Sequence, residues 1–324
     1  MTDPLVWSLR EAEAATTSID LARHVGAPAG VPVVIFDVDP GDEPHRWTAV
    51  ADRLAPLPVV SVAPFGEVAD AVHTDAGALA DAVVDHPHAA TIAASLLRAL
   101  PDEPMAAFHL ESLAYATLQA GPEHRAWLER QGRRVRTDTS PRVRLDDGDP
   151  IAVTLTRPRL HNLLDRHGRD QLADAFRTIA VMDRDVGIRW RAEGPSFCAG
   201  GDPAEFGTVA DPPTAHLIRL AASPAVALAA IRDRMSVEVH GACVGAGIEL
   251  AAQAARVIAA PDTRFRLPEL TMGLIPGVGG TWSIGRRIGR RRLLSWLLLD
   301  LEVDATTALD WGLVDAVSTG PTPP

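Results

Sequence analysis

Two stretches decide what this sequence encodes: Pro-Ser-Phe-Cys-Ala-Gly-Gly at 195–201, and His-Gly-Ala-Cys-Val-Gly-Ala-Gly-Ile-Glu-Leu at 240–250. Residues without bulk let a ligand approach the main chain, so each glycine-rich turn can direct backbone N–H groups at one oxygen atom. The second turn opens an alanine-rich apolar run that we expect to be helical, so its N–H groups lie at the positive end of a helix dipole. Two such donors aimed at one carbonyl oxygen form an oxyanion hole.

Two carboxylates follow the second turn. Glu249 lies in the first turn of the expected helix, and Glu269 follows Leu267-Pro268 20 residues later. A carbonyl oxygen that gains negative charge acidifies the carbon beside it, and a carboxylate can then move a proton to or from that carbon. Glu249 could instead only complement the helix dipole, and Glu269 could be an ordinary loop carboxylate. The arrangement favours polarisation of a carbonyl and transfer of a proton.

Length and composition exclude several classes of protein. A chain of 324 residues with 47% hydrophobic and 23% charged residues is long enough for two domains with a large core. The net charge of −11 argues against nucleic acid as a partner. Two cysteines allow neither a disulfide framework nor a zinc site, so we expect no metal. No signal-like or membrane-length apolar run is present, so we expect a cytoplasmic protein without a membrane partner.

All 31 basic residues are arginine, which excludes catalysis by a lysine Schiff base or a lysine general base. Strands and helices alternate along the chain, which predicts an α/β fold. The charged segment 133–149 is the expected boundary between an N-terminal α/β, mainly helical domain (1–147) and a second domain (148–324). The predicted strands are 31–36, 57–62, 151–155, 187–191, 236–240 and 257–259, and the predicted helices are 46–54, 167–183, 216–222, 248–255 and several within 76–131.

Further motifs accompany the two turns in a fixed order. They are Thr156-Arg157-Pro158 with Asn162, Phe197 to Asp202, His240 to Leu250, Leu267-Pro268-Glu269, Met272 to Thr281, and Ala308 with Gly312-Leu313-Val314. From Ile151 to Val317 the sequence therefore resembles the crotonase superfamily, also called the enoyl-CoA hydratase/isomerase family. The resemblance covers about half of the chain. It implies a crotonase-like spiral of ββα units in the C-terminal half, assembled as a homo-oligomer, either a trimer or a hexamer.

The resemblance also implies an acyl-coenzyme A thioester as substrate, with coenzyme A entering as part of that substrate and no separate cofactor. Carried over position by position, the oxyanion donors are the N–H groups of Gly201 and Ala246, where the second position is usually glycine. Glu249 and Glu269 fall on the two catalytic glutamate positions of the hydratases. The remaining substrate-binding residues implied around the thioester are Gly200, Asp202 and Gly245.

These residues predict reversible hydration of a 2-enoyl-CoA, with Glu249 as base toward water and Glu269 as proton donor. The alternatives are double-bond isomerisation by one carboxylate, a dioxygenase-like reaction on an arylacetyl-CoA, and a non-catalytic acyl-CoA-binding partner. The core lacks the C-terminal helices that usually help roof the pocket in this family, while about 145 residues precede it. We expect residues before about Gly148, through apolar faces around Leu96, Leu113 and Leu118, to pack over the pocket or over its neighbour in an oligomer. The alternative is an independent domain on a flexible tether through residues 133–149.

Four other features have competing interpretations. The arginine cluster (Arg286, Arg287 and 290–292) is expected to form a solvated or interchain face, with binding of coenzyme phosphates as the alternative. Cys198 is not expected to be a nucleophile, and His240 is expected to be a buried strand end. Glu238 interrupts an apolar strand, and alternation points it either to solvent or, as a third carboxylate, toward the site.

Overall fold

The valine-rich runs near the N-terminus form a small parallel sheet. The structure, a computed structural model, describes residues 4–132, 138, 140–182, 185–209 and 211–318. The elements of this part are β1 (Leu5–Ser8), α1 (Leu9–Thr16), α2 (Leu21–His24), β2 (Val33–Asp37), α3 (Pro44–Leu54), β3 (Val60–Ala63) and β4 (Ala71–Val72). The strands lie side by side in chain order and all pairs are parallel. β-Branched residues favour extended backbone, and the two strands and the helix predicted here are confirmed.

Four helices follow in the region that the sequence predicts to be helical. They are α4 (Ala76–Asp85), α5 (Pro87–Ala99), α6 (Pro104–Gln119) and α7 (Pro122–Gln131). The last three each begin with proline, whose fixed φ suits the first helical position and whose missing N–H costs nothing there. Glu103 caps α6 by accepting the amides of Met105 and Ala106 at 2.9 and 2.7 Å. The prediction of a helical region is confirmed.

Six described strands form the second sheet. They are β5 (Val143–Asp146), β6 (Ile151–Leu155), β7 (Ile188–Ala192), β8 (Met235–Val239), β10 (Arg256–Ala259) and β13 (Ala316–Val317). Neighbouring strands are parallel except for the antiparallel pair β5–β6. The four strands predicted between residues 151 and 259 are confirmed. β5 pairs with this sheet although it precedes the predicted domain boundary at Gly148, so the sheet begins at Val143. The boundary itself stays a prediction, and residues 133–137 and 139 of the segment that suggested it lie outside the described residues.

A third, three-stranded sheet and seven helices complete the described fold. The strands are β9 (Ala242–Val244), β11 (Arg264–Arg266) and β12 (Val303–Asp304). The helices are α8 (Arg166–Val181), α9 (Pro212–Ala221), α10 (Pro224–Ala229), α11 (Ala246–Ala251), α12 (Gly280–Ile288), α13 (Arg290–Leu299) and α14 (Ala305–Asp310). The helix predicted over 248–255 is shorter than expected because its last four residues form turns, and Asp183 of the predicted helix 167–183 lies outside the described residues.

The N-terminal helices share one apolar core with the second and third sheets. Leu118 of α6 belongs to the same buried cluster as Phe265 of β11. A smaller cluster lies in the N-terminal part of the chain, where the rings of Phe36 and Trp47 stack with centroids 4.6 Å apart. The two predicted domains therefore pack closely against each other.

The arginine cluster joins these two parts of the chain. Arg290 donates to the carbonyl oxygens of Leu97 and Leu100 at 3.0 and 2.6 Å. Arg291 donates to the carbonyl oxygen of Ala69 at 2.9 Å. These contacts within one chain correct the expectation that the whole cluster is a solvated or interchain face, because the guanidinium groups satisfy carbonyls of the N-terminal part.

Candidate active site

The two glycine-rich turns lie side by side, joined by a parallel bridge between Cys198 and Cys243. The Cys198 N–H donates to the carbonyl oxygen of Ala242 at 3.1 Å, and the Cys198 carbonyl accepts the N–H of Val244 at 2.9 Å. A β-carbon at Gly247 would lie 2.6 Å from the Cys198 oxygen, so only glycine permits this approach. Two motifs that are distant in sequence therefore meet in space.

The backbone amides predicted to form the oxyanion hole lie on these two turns. The N–H of Leu164 donates to the carbonyl oxygen of Gly200 at 2.8 Å, and the carbonyl oxygen of Leu164 accepts the N–H of Asp202 at 3.0 Å. Neither hydrogen bond uses the N–H of Gly201. Ala246 begins α11, so its N–H is among the first helical amides, which have no partner within the helix. The position of both amides suits the oxyanion role, which stays a prediction.

The carboxyl group of Glu269 lies against the second turn. A β-carbon at Gly245 would be 2.5 Å from its Oε1 atom, and Gly245 has a φ of +48°, so glycine is required there for two reasons. The Oε2 atom of Glu269 is buried and has no hydrogen-bond partner among the described residues. Burial raises the pKa of Glu269 to about 8; its own N–H opposes the rise, and the charges of Asp300 and Glu111 add to it. A buried oxygen without a donor favours the protonated carboxyl.

Glu249 is held by the turn that precedes α12. Its Oε2 atom accepts the N–H groups of Val278 at 2.8 Å and Gly280 at 3.2 Å. The side chain passes so close to Gly280 that a β-carbon there would lie 2.5 Å from the Glu249 Cγ atom. Burial, and then the charges of Glu269 and Glu111, raise the pKa of Glu249, while the two amide hydrogen bonds lower it. Glu249 is thus a buried carboxyl group with two donors on one oxygen.

A third buried carboxylate, Glu111, comes from α6 and was not singled out as a site residue in the sequence. Its oxygens accept the N–H of Gly279 at 2.6 Å and both the N–H and the hydroxyl of Thr281 at 2.9 and 2.6 Å. Burial raises the pKa of Glu111 to about 7, against hydrogen bonds from Thr281 and Gly279 and the charge of Arg219. A carboxylate three residues after Phe108 on a buried helical stripe is the signal that could have identified it.

Helix α6 also covers the loop that carries Glu269. The ring of Tyr115 lies on Gly277, where a β-carbon would be 2.6 Å from the ring. The prediction that residues before Gly148 pack over the site is confirmed for this helix. Of the side chains expected to make the contact, Leu96 and Leu118 are buried, whereas Leu113 is 51% exposed and faces away.

Helix α7 covers the first turn through an aromatic cluster. A β-carbon at Gly201 would lie 3.3 Å from the ring of Phe206. The ring centroid of Phe206 is 5.6 Å from that of Trp127 and 6.4 Å from that of His124. His124 also hydrogen-bonds the Met272 carbonyl through Nδ1 at 2.9 Å. Both halves of the site are therefore covered by the N-terminal segment.

The remaining predicted substrate contact, Asp202, has its carboxylate turned toward a buried arginine. Its Oδ2 atom lies 3.3 Å from Nη1 of Arg157, and its Oδ1 atom accepts the N–H of Ala204 at 3.0 Å. Arg157 also lies 3.3 Å from Asp165. The contacts of Asp202 therefore position the first turn, and its binding role stays a prediction. In contrast, Gly200, Gly201, Gly245, Ala246, Glu249 and Glu269 lie together as predicted.

Three other expectations can be compared with the structure. Burial raises the pKa of Cys198 to about 12, consistent with an inert thiol. His240 is buried and its Nε2 atom lies 2.8 Å from the carbonyl oxygen of Gly194, which confirms a hydrogen-bonded strand end. Glu238 pairs with Arg189 on the neighbouring strand at 3.3 Å, so the third carboxylate of the site is Glu111 and not Glu238.

Two cavities among the described residues lie away from the glycine turns. The larger, of about 710 Å³, lies between the N-terminal part and α13, where Arg98 and Arg291 line it. The smaller, of about 240 Å³, is lined by Gln253 and Trp282. None of the three carboxylates lines either of these two cavities.

The structure gives no group of three or more His, Cys, Asp or Glu side chains that could hold a metal ion within the ranges it describes. In those same ranges, no helix combines the length and the apolar character needed to cross a membrane.

Comparison with known proteins decides the family. The family model for enoyl-CoA hydratase/isomerase matches residues 150–320, which is more than half of the chain. The chain belongs to the enoyl-CoA hydratase/isomerase family. Glu249, Glu269 and both glycine turns lie inside the match, whereas Glu111 lies outside it.

Curated members of this family are similar to the same half of the chain. A probable enoyl-CoA hydratase of Mycobacterium leprae is 33% identical over 168 residues, which is 51% of this chain and 63% of that protein. The 1,2-epoxyphenylacetyl-CoA isomerase of Escherichia coli is 32% identical over 168 residues, 51% of this chain and 64% of that protein. The chain thus spans a little under two thirds of these relatives.

Solved structures of the family support a crotonase-like α/β fold. An enoyl-CoA hydratase subunit from Geobacillus kaustophilus is 27% identical with a TM-score of 0.50, covering 54% of this chain and 68% of that chain. An enoyl-CoA hydratase from Thermoplasma volcanium is also 27% identical with a TM-score of 0.50, covering 56% and 73%.

Proposed function

We propose that this protein hydrates the double bond of a 2-enoyl-CoA thioester reversibly. The observation that carries the proposal is the position of Glu269 against Gly245, directly beside the paired glycine turns. In this proposal the amides of Gly201 and Ala246 stabilise the negative charge that develops on the thioester oxygen. Coenzyme A belongs to the substrate, and no separate cofactor takes part.

The two glutamates divide the proton transfers according to their hydrogen bonds. Glu249 has two amide donors on one oxygen at the start of a helix, and these donors favour the charged carboxylate against the burial that raises its pKa. Glu269 has an oxygen without a donor, which favours the protonated form. Three buried carboxylates share their titration, and the negative charge is best held where donors are present. Glu249 is then the base toward water, and Glu269 gives its proton to the α-carbon.

The second candidate is isomerisation of the double bond. One carboxylate suffices to move a proton between two carbons, and Glu269 lies against the second turn with one oxygen that has no donor among the described residues. The similarity to a protein named as an isomerase also favours this candidate. It differs from hydration in that Glu249 is not needed to activate water.

A panel assay tests both candidates. Purified full-length protein is incubated with short, long and aryl 2-enoyl-CoAs and with their 3-enoyl isomers, and the products are separated and their stereochemistry determined. Hydration predicts 3-hydroxyacyl-CoA of one configuration. Formation of 2-enoyl-CoA from the 3-enoyl substrate without a hydroxyacyl product would assign isomerisation. Absence of turnover on the whole panel would contradict both.

A further inference from the structure

The turn from Val278 to Thr281 offers four consecutive amides, and two glutamates from different parts of the chain accept them alternately. Glu249 takes the N–H groups of Val278 and Gly280. Glu111 takes those of Gly279 and Thr281, and also the Thr281 hydroxyl. The two carboxylates therefore lie on opposite sides of one short segment of backbone.

Part of this segment lies before α12, which begins at Gly280, and is fixed less firmly than the helix itself. It contains Gly279 and Gly280 and follows Gly277, and glycine has access to more backbone conformations than any other residue. Gly279 has a φ of +94°, which a residue with a side chain rarely adopts. Unless both sets of amides are held, the segment can rotate, and the amides that hold Glu249 rotate with it.

We propose that Glu111, from the segment outside the family match, is a positioning residue that fixes the Val278–Thr281 turn and through it the carboxylate of Glu249. The proposal rests on the proposed role of Glu249 in proton transfer. Glu111 acts on the reaction through the turn and needs no contact with the substrate.

The fit of Glu111 supports this role. Its side chain is 1% exposed and accepts three hydrogen bonds, all from the turn. The next residue, Ser112, contacts α9 instead: its hydroxyl lies 2.8 Å from Nδ1 of His216 and accepts Nε–H of Arg219 at 3.0 Å. Neighbours on one helix thus divide two tasks, since Ser112 binds α9 and Glu111 binds the turn.

The charge of Glu111 gives the role a distinct readout. The charged and titratable groups that face it are Tyr115 on the same helix, Arg219 on α9, Glu249 on α11 and Glu269 after β11. Its negative charge raises the pKa of both other glutamates. Removal of the charge should therefore move both limbs of the pH profile of kcat to lower pH.

Glu111→Gln in the full-length protein tests the proposal. Glutamine keeps the shape and one acceptor oxygen but must present an NH₂ group to an amide donor, so the turn loses part of its hold. We expect kcat to fall about 10- to 100-fold, the scale of a misplaced catalytic group, with little change in KM and with both pH limbs shifted to lower pH. Thr117→Val, the control on the same helix, removes an exposed hydroxyl that donates to the Leu113 carbonyl at 2.9 Å and should leave kcat and the pH limbs unchanged.

Thr281→Val keeps the amide donor and removes only the hydroxyl donor to Glu111, so we expect a smaller drop in kcat than in Glu111→Gln. This variant also tests the proposal if Glu111→Gln does not fold. The proposal is overturned if Glu249→Gln is inactive while Glu111→Gln, or in its place Thr281→Val, keeps the kcat and pH profile of the wild type. Full activity of Glu249→Gln would instead refute the proposed function and leave the loss in Glu111→Gln to be assigned to another group.

Discussion

The paired glycine turns and helix α6 both border the group formed by Glu111, Glu249 and Glu269. They contribute different kinds of groups to the candidate site. The turns supply backbone donors and need residues without side chains, as the close contact of Gly247 with Cys198 shows. Helix α6 supplies a side chain, Glu111, whose partner Thr281 is 170 residues away. The backbone donors of the turns are encoded in short sequence motifs. The position of the Glu111 side chain instead depends on how distant parts of the chain pack together. A site can thus keep its family motif and be completed by a segment outside it.

The sharpest test of the motif side is removal of the two carboxyl groups that it positions. Glu249→Gln and Glu269→Gln should each lower kcat by about 10²- to 10⁴-fold, because each removes one positioned acid or base. Steady-state kinetics on the preferred enoyl-CoA measures the loss. Glu238→Gln, which alters a carboxylate paired with Arg189 elsewhere, should leave kcat unchanged. Activity within twofold of wild type in either site variant would contradict the assignment.

The backbone donors can be tested separately from the carboxylates. Gly201→Pro removes one N–H and should lower kcat by about 10²- to 10³-fold, the effect of losing one oxyanion donor. Gly201→Ala retains the N–H and should be milder, although its methyl group would meet Phe206 at 3.3 Å. If a folded proline variant turned over normally, the oxyanion hole would have to lie elsewhere.

Docking of the N-terminal segment can be disturbed without touching either motif. Gly273 has a φ of +68°, and a β-carbon there would lie 2.5 Å from the backbone nitrogen of His124 in α7. Gly273→Ala should lower the free energy of unfolding by at least about 2 kcal/mol, from left-handed strain plus overpacking. Chemical denaturation measures this.

The matched control is Gly30→Ala, whose φ of +79° is similar but whose β-carbon would meet nothing within 4 Å. It should cost only the conformational strain, about 1 kcal/mol. Equal losses in the two variants would mean that the contact between α7 and the loop adds nothing to stability.

The smallest expected effect is a dependence of stability on pH. The pKa values of Glu111 and Glu269 are raised to about 7 and about 8, above the 4.5 of an ordinary glutamate. Between pH 4.5 and these raised values, the folded protein therefore binds more protons than the unfolded chain. Their contribution is fully present below pH 4.5 and is lost as the pH rises through 7 to 8. Denaturation of wild type and Glu269→Gln at about pH 5 and about pH 8.5 checks this. The variant should lose less stability than the wild type, and an equal loss would contradict the raised pKa.

Most of the half that matches the family model could be predicted from the sequence because its signals are local. The strand Ile151–Leu155 was predicted with its observed bounds, and the two glycine turns meet as expected. Short strands such as β9 and β12 were missed, since two or three residues carry no periodic pattern.

The part that could not be predicted depends on tertiary contacts. Nothing in the neighbourhood of Glu111 indicates which distant amides it accepts, and its burial follows from the packing of α6 on α12. The same reason explains Leu113, which shares an apolar helix with Leu118 but is exposed. The spacing of apolar residues predicts which side of a helix is apolar. Whether that side is buried depends on other segments of the chain that pack against it.

The distance along the chain between Glu111 and Thr281 also sets an order of events during synthesis. Translation at about 5–20 residues per second means that α6 leaves the ribosome roughly 10–30 s before the turn that it holds. Throughout that interval the Glu111 carboxylate lacks the amide and hydroxyl donors that it has in the folded protein. The contacts between Glu111 and the turn can therefore form only when α12 packs onto helices that were made earlier, and apolar surface left exposed until then is open to aggregation and to chaperones.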